Sequence, residues 1–348
     1  MTKHVLAGDI GGTHARFALF EVDETPRLVH GGSLDSRAYP SLEKAMDEFL
    51  SVSAKGKKTA GSKIRIAAAS LGIAGPVVDQ RVKTTNLPWT IDARKLSKHF
   101  KIPEVTLLND LIAIGMGAIA SPPSKLTKVH AGRPKKSGAN LAVIAAGTGL
   151  GEALFIWDGK EHVACPSEGA HVDFAPRTDV EIQLFTELRK ELRGHVSYER
   201  IVAASQIARL YRFFLTTMKV KESKAVTAEV GKAEDPNAAV CDLAVSGKSE
   251  AAMRAIDLWS SVYGAEAGNL VLKTLATGGV YVCGGVSARL AKVLVDGLPA
   301  RKDRASPFVA AFLDKGRMGH LVEATPVAIC TEPRAGLLGA AAHAAGRV

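Results

Sequence analysis

The strongest constraint on this fold is a pattern that occurs twice: an apolar strand, a Gly/Thr turn and a second strand. Residues 5–10 run into Gly11-Gly12-Thr13 and resume as strand over 15–22. Residues 141–146 run into Gly147-Thr148-Gly149-Leu150-Gly151 and resume over 152–157. A glycine turn between two strands of this kind makes a hairpin, and an apolar strand without polar alternation is one buried on both faces. Two such hairpins, each followed by further strands and helical spacing, predict two related α/β domains facing a cleft.

The rest of the chain fits that plan. Residues 28–34 supply a third strand, 42–52 have helical spacing, and 64–73 form a fourth, buried strand. A short strand over 105–108 runs straight into Asn109-Asp110 and a helix over 111–119. The middle, 179–276, is mostly helical. Residues 280–283 are a strand ending in Gly284-Gly285 with a helix after it, 327–330 are one more strand, and 332–345 close as an Ala-rich helix. The expected domains are 1–120 completed by 331–348, and 121–330.

Composition narrows the function classes. The four cysteines, Cys165, Cys241, Cys283 and Cys330, show no C-x-x-C pair and no His at zinc-ligand spacing, so free thiols are expected. No apolar run is long enough for an export signal or a membrane span, which makes cytoplasmic the expected location. A formal charge of +10 raises the question of nucleic acid. Much of it lies in two stretches, 55–63 and 125–136, whose Gly, Ser and Pro read as solvated loops, and aromatics are only 5%. No nucleic-acid partner is therefore expected.

Three Gly-rich turns at the ends of apolar strands carry the chemical signal: Gly8-Asp9-Ile10-Gly11-Gly12-Thr13, Gly147-Thr148-Gly149, and Gly284-Gly285. Backbone amides in such turns can approach phosphate oxygens, because glycine has no Cβ in the way and can take φ above zero. A single one would be a hairpin turn and nothing more. Three, one with a carboxylate, Asp9, suited to hydrated Mg²⁺, favour phosphate binding. The turn at 147–151 leads into a strand and not a helix, which excludes the Rossmann fingerprint. Gly247-Lys248-Ser249 is not a Walker A loop, since residue 242 is Asp where the first glycine should fall.

Asn109-Asp110 stands where a strand ends and a helix begins. It reads equally as a helix N-cap and as a carboxylate able to accept a proton from a substrate hydroxyl. Ser167 to Phe174 packs Glu168, His171 and Asp173 closely. The spacing is poor for a metal and better for polyol hydroxyls, since a carboxylate accepts two hydrogen bonds and an imidazole can donate one. Glu199 locally reads as a favourable charge at a helix N-terminus.

Taken in order, these segments resemble the bacterial glucokinases of the hexokinase, actin and sugar-kinase superfamily. The resemblance covers nearly the whole chain. It rests on GDIGGTHARFALF at the start, TTNLPW at Thr84, LLNDLIAI around Asp110, AAGTGLGEAL at Ala145, PSEGAHVDFAP at Pro166, GHVSYERIV at Gly194 and CGGVSARL at Cys283. It implies a two-domain, actin-like (ribonuclease H-like) α/β fold with an interdomain cleft, and ATP- and Mg²⁺-dependent phosphorylation of glucose. By the same resemblance Asp110 is the general base, and Asn109, Asp110, Glu168, His171 and Glu199 bind the sugar. Gly8 to Thr13 is the first phosphate loop with Asp9 near Mg²⁺, Gly147 to Gly149 the second, and Gly284-Gly285 the adenosine motif. Glucose is the expected partner, with a homodimer as the expected assembly.

Two other readings stay open at this stage, a kinase for mannose, fructose or glucosamine, and a regulator that binds sugar without turnover. The chain departs from the family at His14, where Asn is usual, and at Ala170, where a second Gly is usual. It also reads Ala203-Ala204-Ser205-Gln206 where the family often has Ser-Gly-Pro-Gly.

Overall fold

Both glycine hairpins form where the sequence predicts them. The computed structural model describes residues 3–22, 27–55, 65–84, 87–133, 138–301 and 305–346. The chain divides into two units, Met1–Pro122 with Glu332–Val348, and Pro123–Thr331.

In the first unit, β1 (Lys3–Ile10) and β2 (His14–Val22) pair antiparallel with Ile10 opposite Ala15. Strand β3 (Arg27–Asp35) extends the ribbon beyond β2. On its other side β1 pairs in parallel with β4 (Ile66–Ile73). A small ribbon of β5 (Arg81–Lys83) and β6 (Thr90–Asp92) precedes β7 (Glu104–Asn109), which pairs in parallel with β4. The sheet order is β3-β2-β1-β4-β7.

Strand β1 is buried on both faces because successive side chains point to opposite sides of the sheet. Leu6 joins one core with Phe17, Leu71 and, from α1 (Leu42–Lys55), Met46 and Phe49. Val5 and Ala7 join another with Leu337, Ala340 and Ala344 of the closing helix Ala335–Ala345. That helix also crosses α3 (Asp110–Ile119), which follows α2 (Ala93–Phe100) and β7. A Cβ on Gly117 would stand 1.9 Å from the Ala335 carbonyl oxygen, and one on Gly339 1.8 Å from that of Ala113. The Ala/Gly content of both helices is thus what lets their backbones touch.

The second unit repeats the arrangement with one strand added. Its sheet comprises β8 (Leu126–His130), β9 (Leu141–Ala146), β10 (Leu150–Trp157), β11 (His162–Ser167), β12 (Gly279–Cys283) and β13 (Val327–Cys330), in the order β11-β10-β9-β12-β13-β8. As in the first unit, an antiparallel meander of three strands is followed by two parallel ones. Its helices include α4 (Asp179–Glu191), α5 (Glu199–Val202), α6 (Ile207–Thr216), α7 (Lys224–Lys232), α8 (Pro236–Val245), α9 (Glu250–Thr274) and α10 (Gly285–Arg289). Thr178, Ser223, Asp235 and Ser249 cap four of them through their side chains. Ser249 of the Gly247-Lys248-Ser249 tripeptide therefore begins a helix. The long α9 buries Trp259 and Tyr263 completely, and truncating such an aromatic typically costs about 3–5 kcal/mol.

Two expectations need correction. The stretch 125–136 is not all loop, since Leu126–His130 is an edge strand antiparallel to β13. Its lysine, Lys128, is exposed on that edge, a placement that discourages pairing with another chain. Residues 134–136 lie outside the described residues, as do 56–63 of the other basic stretch; Lys55 ends α1. The closing helix starts at Ala335, after a turn in which Glu332 Oε1 accepts from the Arg334 N–H at 3.0 Å. Among the described residues no helix is long and apolar enough to cross a membrane.

Candidate active site

In the first unit, the register of three parallel strands brings the chemistry to one edge. Asp9 pairs with Gly72 and Ile10 with Ile73, while Gly72 pairs with Leu108 and Ile73 with Asn109. Gly8, Asp9 and Ile10 thus end β1 at the same level as Asn109 and Asp110 end β7 and begin α3. Ligands of open α/β sheets bind outside these carboxyl ends.

The turn of Gly11, Gly12 and Thr13 is closed by the Gly11 N–H, which donates to the His14 carbonyl at 2.9 Å. Ser36, fully buried, supports it: its hydroxyl donates to the Gly11 carbonyl at 2.9 Å, and its N–H to the Thr13 carbonyl at 2.9 Å. Asp9 Oδ2 accepts from Arg16 Nη1 at 3.2 Å, across the hairpin register. The departure at His14 is an exposed side chain whose backbone closes the turn.

Asn109 is the N-cap of α3. Its Oδ1 accepts from the Leu111 N–H at 2.9 Å, and its Nδ2 donates to the Gly75 carbonyl at 3.2 Å. Asp110, half-buried, is the first helical residue. In TTNLPW, the Thr84 hydroxyl donates to the Leu87 carbonyl at 2.8 Å and Trp89 Nε1 to the Tyr39 carbonyl at 3.1 Å; residues 85 and 86 lie outside the described residues.

In the second unit the other two turns meet. Strands β9 and β12 run in parallel with Ala145 beside Cys283, so Gly147-Thr148-Gly149 and Gly284-Gly285 leave the sheet side by side. Gly284 has φ of +98° and lies so close to β9 that a Cβ would stand 2.1 Å from the Ala146 carbonyl oxygen. Tyr263 lies under both strands: its hydroxyl takes the Ala146 N–H at 3.3 Å and lies 3.1 Å from Ser287 Oγ. Complete burial raises its pKa above the usual phenol value. The family departure at Ala203 to Gln206 docks on the same turn. The Ala204 N–H donates to the Gly147 carbonyl at 2.9 Å, and the Ser205 hydroxyl to that of Thr148 at 2.8 Å.

Glu168, His171 and Glu199 come together. Strand β11 ends at Ser167, and a single 3₁₀ turn over Gly169–His171 turns the chain back. His171 Nε2 lies 3.8 Å from Glu168 Oε2, and its Nδ1 lies 3.9 Å from Glu199 Oε1. The other oxygen of Glu199 accepts from the Leu150 N–H at 3.1 Å, where a Cβ on Gly149 would come within 2.5 Å of it. Glu199 is the first residue of α5, but this hydrogen bond is to the glycine turn and not to its own helix. His195 holds the arrangement from behind, with Nε2 2.8 Å from the His171 carbonyl and Nδ1 2.9 Å from Asp173 Oδ1. Ala170, the other departure, is buried in the core, so its methyl fills space there.

Sequence reasoning missed Arg16, Ser36, His195, Ser205 and Tyr263. Only Arg16 had a local signal, because a hairpin that pairs Ile10 with Ala15 must pair Asp9 with Arg16. Among the described residues there is no group of three or more His, Cys, Asp or Glu side chains that could hold a metal ion. Asp9 is still a suitable donor for a nucleotide-bound Mg²⁺, which keeps most of its waters and takes one or two carboxylates.

The glucokinase family profile matches residues 6–347. A glucokinase of Trichormus variabilis is 36% identical, with 98% of this chain and 98% of that protein covered. The crystal structure of a glucokinase from an Antarctic psychrotroph superposes with a TM-score of 0.82 at 28% identity, covering 99% of this chain and all of that one. A glucokinase from Balamuthia mandrillaris, solved in complex with glucose, shares the fold at a TM-score of 0.76 and 20% identity, covering 99% and 94%. The repeated sheet, the glycine turns and these matches together show that the chain belongs to the glucokinase family, with its two-domain, actin-like (ribonuclease H-like) α/β fold.

Proposed function

We propose that this chain transfers the γ-phosphoryl group of ATP to the 6-hydroxyl of glucose. The observation that carries the reading is the position of Glu199. One oxygen is tied to the glycine turn at Leu150 and the other faces His171, so one side chain joins the candidate phosphate turn to the candidate sugar ligands. A kinase needs that register between donor and acceptor more than it needs covalent chemistry.

Within this reading, Asn109, Glu168, His171 and Glu199 bind the sugar hydroxyls, and Asp110 accepts the proton of the 6-hydroxyl as the phosphoryl group arrives. The Gly8 to Thr13 and Gly147 to Gly149 turns offer backbone amides to the phosphates, and Gly284-Gly285 receives the adenosine. Mg²⁺, held by Asp9, would neutralise charge on the transferring phosphate. We further propose a cytoplasmic homodimer whose substrate is a small sugar and which uses no nucleic-acid partner.

A coupled assay for ADP release with a panel of hexoses tests this. Glucose should give the highest kcat/KM. An equal or higher value for mannose or fructose would remove glucose as the preferred substrate. Binding of glucose with no ADP release from any hexose would leave the regulator reading in its place.

A further inference from the structure

Glu152 belongs to the second glycine hairpin and has no part in the roles above. It stands on β10 directly opposite Ser167 of β11. The residue is only 2% exposed, and among the described residues neither carboxyl oxygen has a hydrogen-bond partner. Its side chain runs beneath Gly169. A Cβ built on Gly169 would stand 2.2 Å from Oε2 and 3.2 Å from Cδ, so the carboxyl occupies the volume a side chain would take there. Gly169 in turn separates Glu168 from Ala170-His171, and its N–H donates to Ser167 Oγ at 2.9 Å.

The surroundings favour a neutral carboxyl. Helix α9 brings Glu266, fully buried, and Lys273 toward it, along with the buried phenol of Tyr263. Glu266 is the better served of the two acids: Oε1 accepts from Lys273 Nζ and Oε2 from Asn269 Nδ2, both at 2.8 Å. Asn269 Nδ2 also donates to the hydroxyl of Tyr198, just before α5, at 3.1 Å. From β11 comes the Ser167 hydroxyl, and the turn above begins after Glu168 and ends at His171. Lys273 is therefore already paired with Glu266. Burial first, and Glu266 second, push the Glu152 pKa up to about 8, with Lys273 offsetting part of the rise.

We propose that Glu152 is a positioning residue for the sugar: its neutral carboxyl seats Gly169, and through it Glu168 and His171, while its ionisation unseats them. A buried carboxylate without donors must gain water or donors, because leaving it unsatisfied is costly. Of the elements around it, α9 is packed in the core. The segment 168–171 is the least confined of them, with the Glu168 and His171 side chains 71% and 56% exposed and Ala170 as its anchor in the core. This inference rests on Glu168 and His171 being the hexose ligands.

The test compares glucose and ATP kinetics of the wild type and Glu152→Gln from pH 6.5 to 9.5. Glutamine keeps the shape and cannot ionise, so ionisations common to both proteins cancel in the ratio of their KM values. The wild-type KM for glucose should rise, relative to the variant, by about tenfold for the first full pH unit above the titration, as the competent fraction falls. The ATP KM ratio should stay level. A glucose KM ratio that is the same at pH 7 and pH 9.5 would overturn the proposal. Should the variant not fold, calorimetry of glucose binding to the wild type near pH 9, in buffers of different ionisation heat, decides the matter. Uptake of about one proton supports the proposal, and no uptake refutes it. Glu168→Gln at pH 7 separates this inference from the reading beneath it. An unchanged glucose KM there removes both, whereas a raised KM alongside a negative Glu152 result removes only the inference.

Discussion

Asn109 and Asp110 share one donor: the Leu111 N–H lies 2.9 Å from Asn109 Oδ1 and 3.0 Å from Asp110 Oδ1. The sequence left open whether this pair caps a helix or performs chemistry, and a substitution at Asp110 separates the two roles. Asp110→Asn keeps the shape and leaves the Asn109 cap in place, so the melting temperature should stay within about 2 °C of wild type. Loss of a general base should lower kcat by about 10²- to 10⁴-fold. A variant that melts normally and keeps more than about a tenth of wild-type kcat would show that Asp110 is not the base.

Gly149 and Gly284 should respond differently to alanine. At Gly284 the new methyl would meet a backbone carbonyl at 2.1 Å in a chain segment with φ of +98°. Both problems are rigid, so Gly284→Ala should destabilise the protein by at least about 1–3 kcal/mol. At Gly149 the obstacle is the Glu199 carboxylate, 2.5 Å away, which can rotate. Gly149→Ala should therefore melt closer to wild type while raising the glucose KM, because Glu199 has been displaced. Urea melts and steady-state kinetics of the two variants distinguish these outcomes; equal destabilisation of both would contradict the assignment.

Ser205→Ala should affect the nucleotide and spare the sugar. Its hydroxyl steadies the Thr148 carbonyl at an exposed position, a hydrogen bond worth about 0.5–1.5 kcal/mol. The expected result is a rise of about two- to tenfold in the ATP KM with little change in the glucose KM. A change confined to the glucose KM would mean that this turn does not hold the phosphates.

Glu152 should also set a slope in stability against pH. Its pKa is raised from 4.5 to about 8 on folding, so between these values the folded chain binds more protons than the unfolded one. Stability then falls as pH rises through this window, at up to about 1.4 kcal/mol per unit. Glu152→Gln removes that contribution. Thermal melts of both proteins should therefore diverge progressively from pH 5 to pH 8, with the variant gaining on the wild type. Parallel curves would show that Glu152 ionises in the folded protein much as it does in the unfolded one.

The sequence by itself determined the hairpins, their glycine turns and the strand-to-helix step at Asn109, because each follows from a local rule: apolar runs make buried strands, glycine permits tight turns and close approach, and Asn favours an N-cap. It also pointed to the repeat, since like patterns satisfy like burial. The edge strand Leu126–His130 was hidden by Lys128, whose solvated charge resembles that of a loop, while Val129 packs against the core. Only the tertiary structure decided that Glu199 answers to Leu150, that Ser205 steadies Thr148 and that the buried Glu152 carboxyl lies beneath Gly169. Those relations join residues distant in the chain, and whether a carboxylate there is solvated, hydrogen-bonded or neutral depends on what the packed core leaves around it.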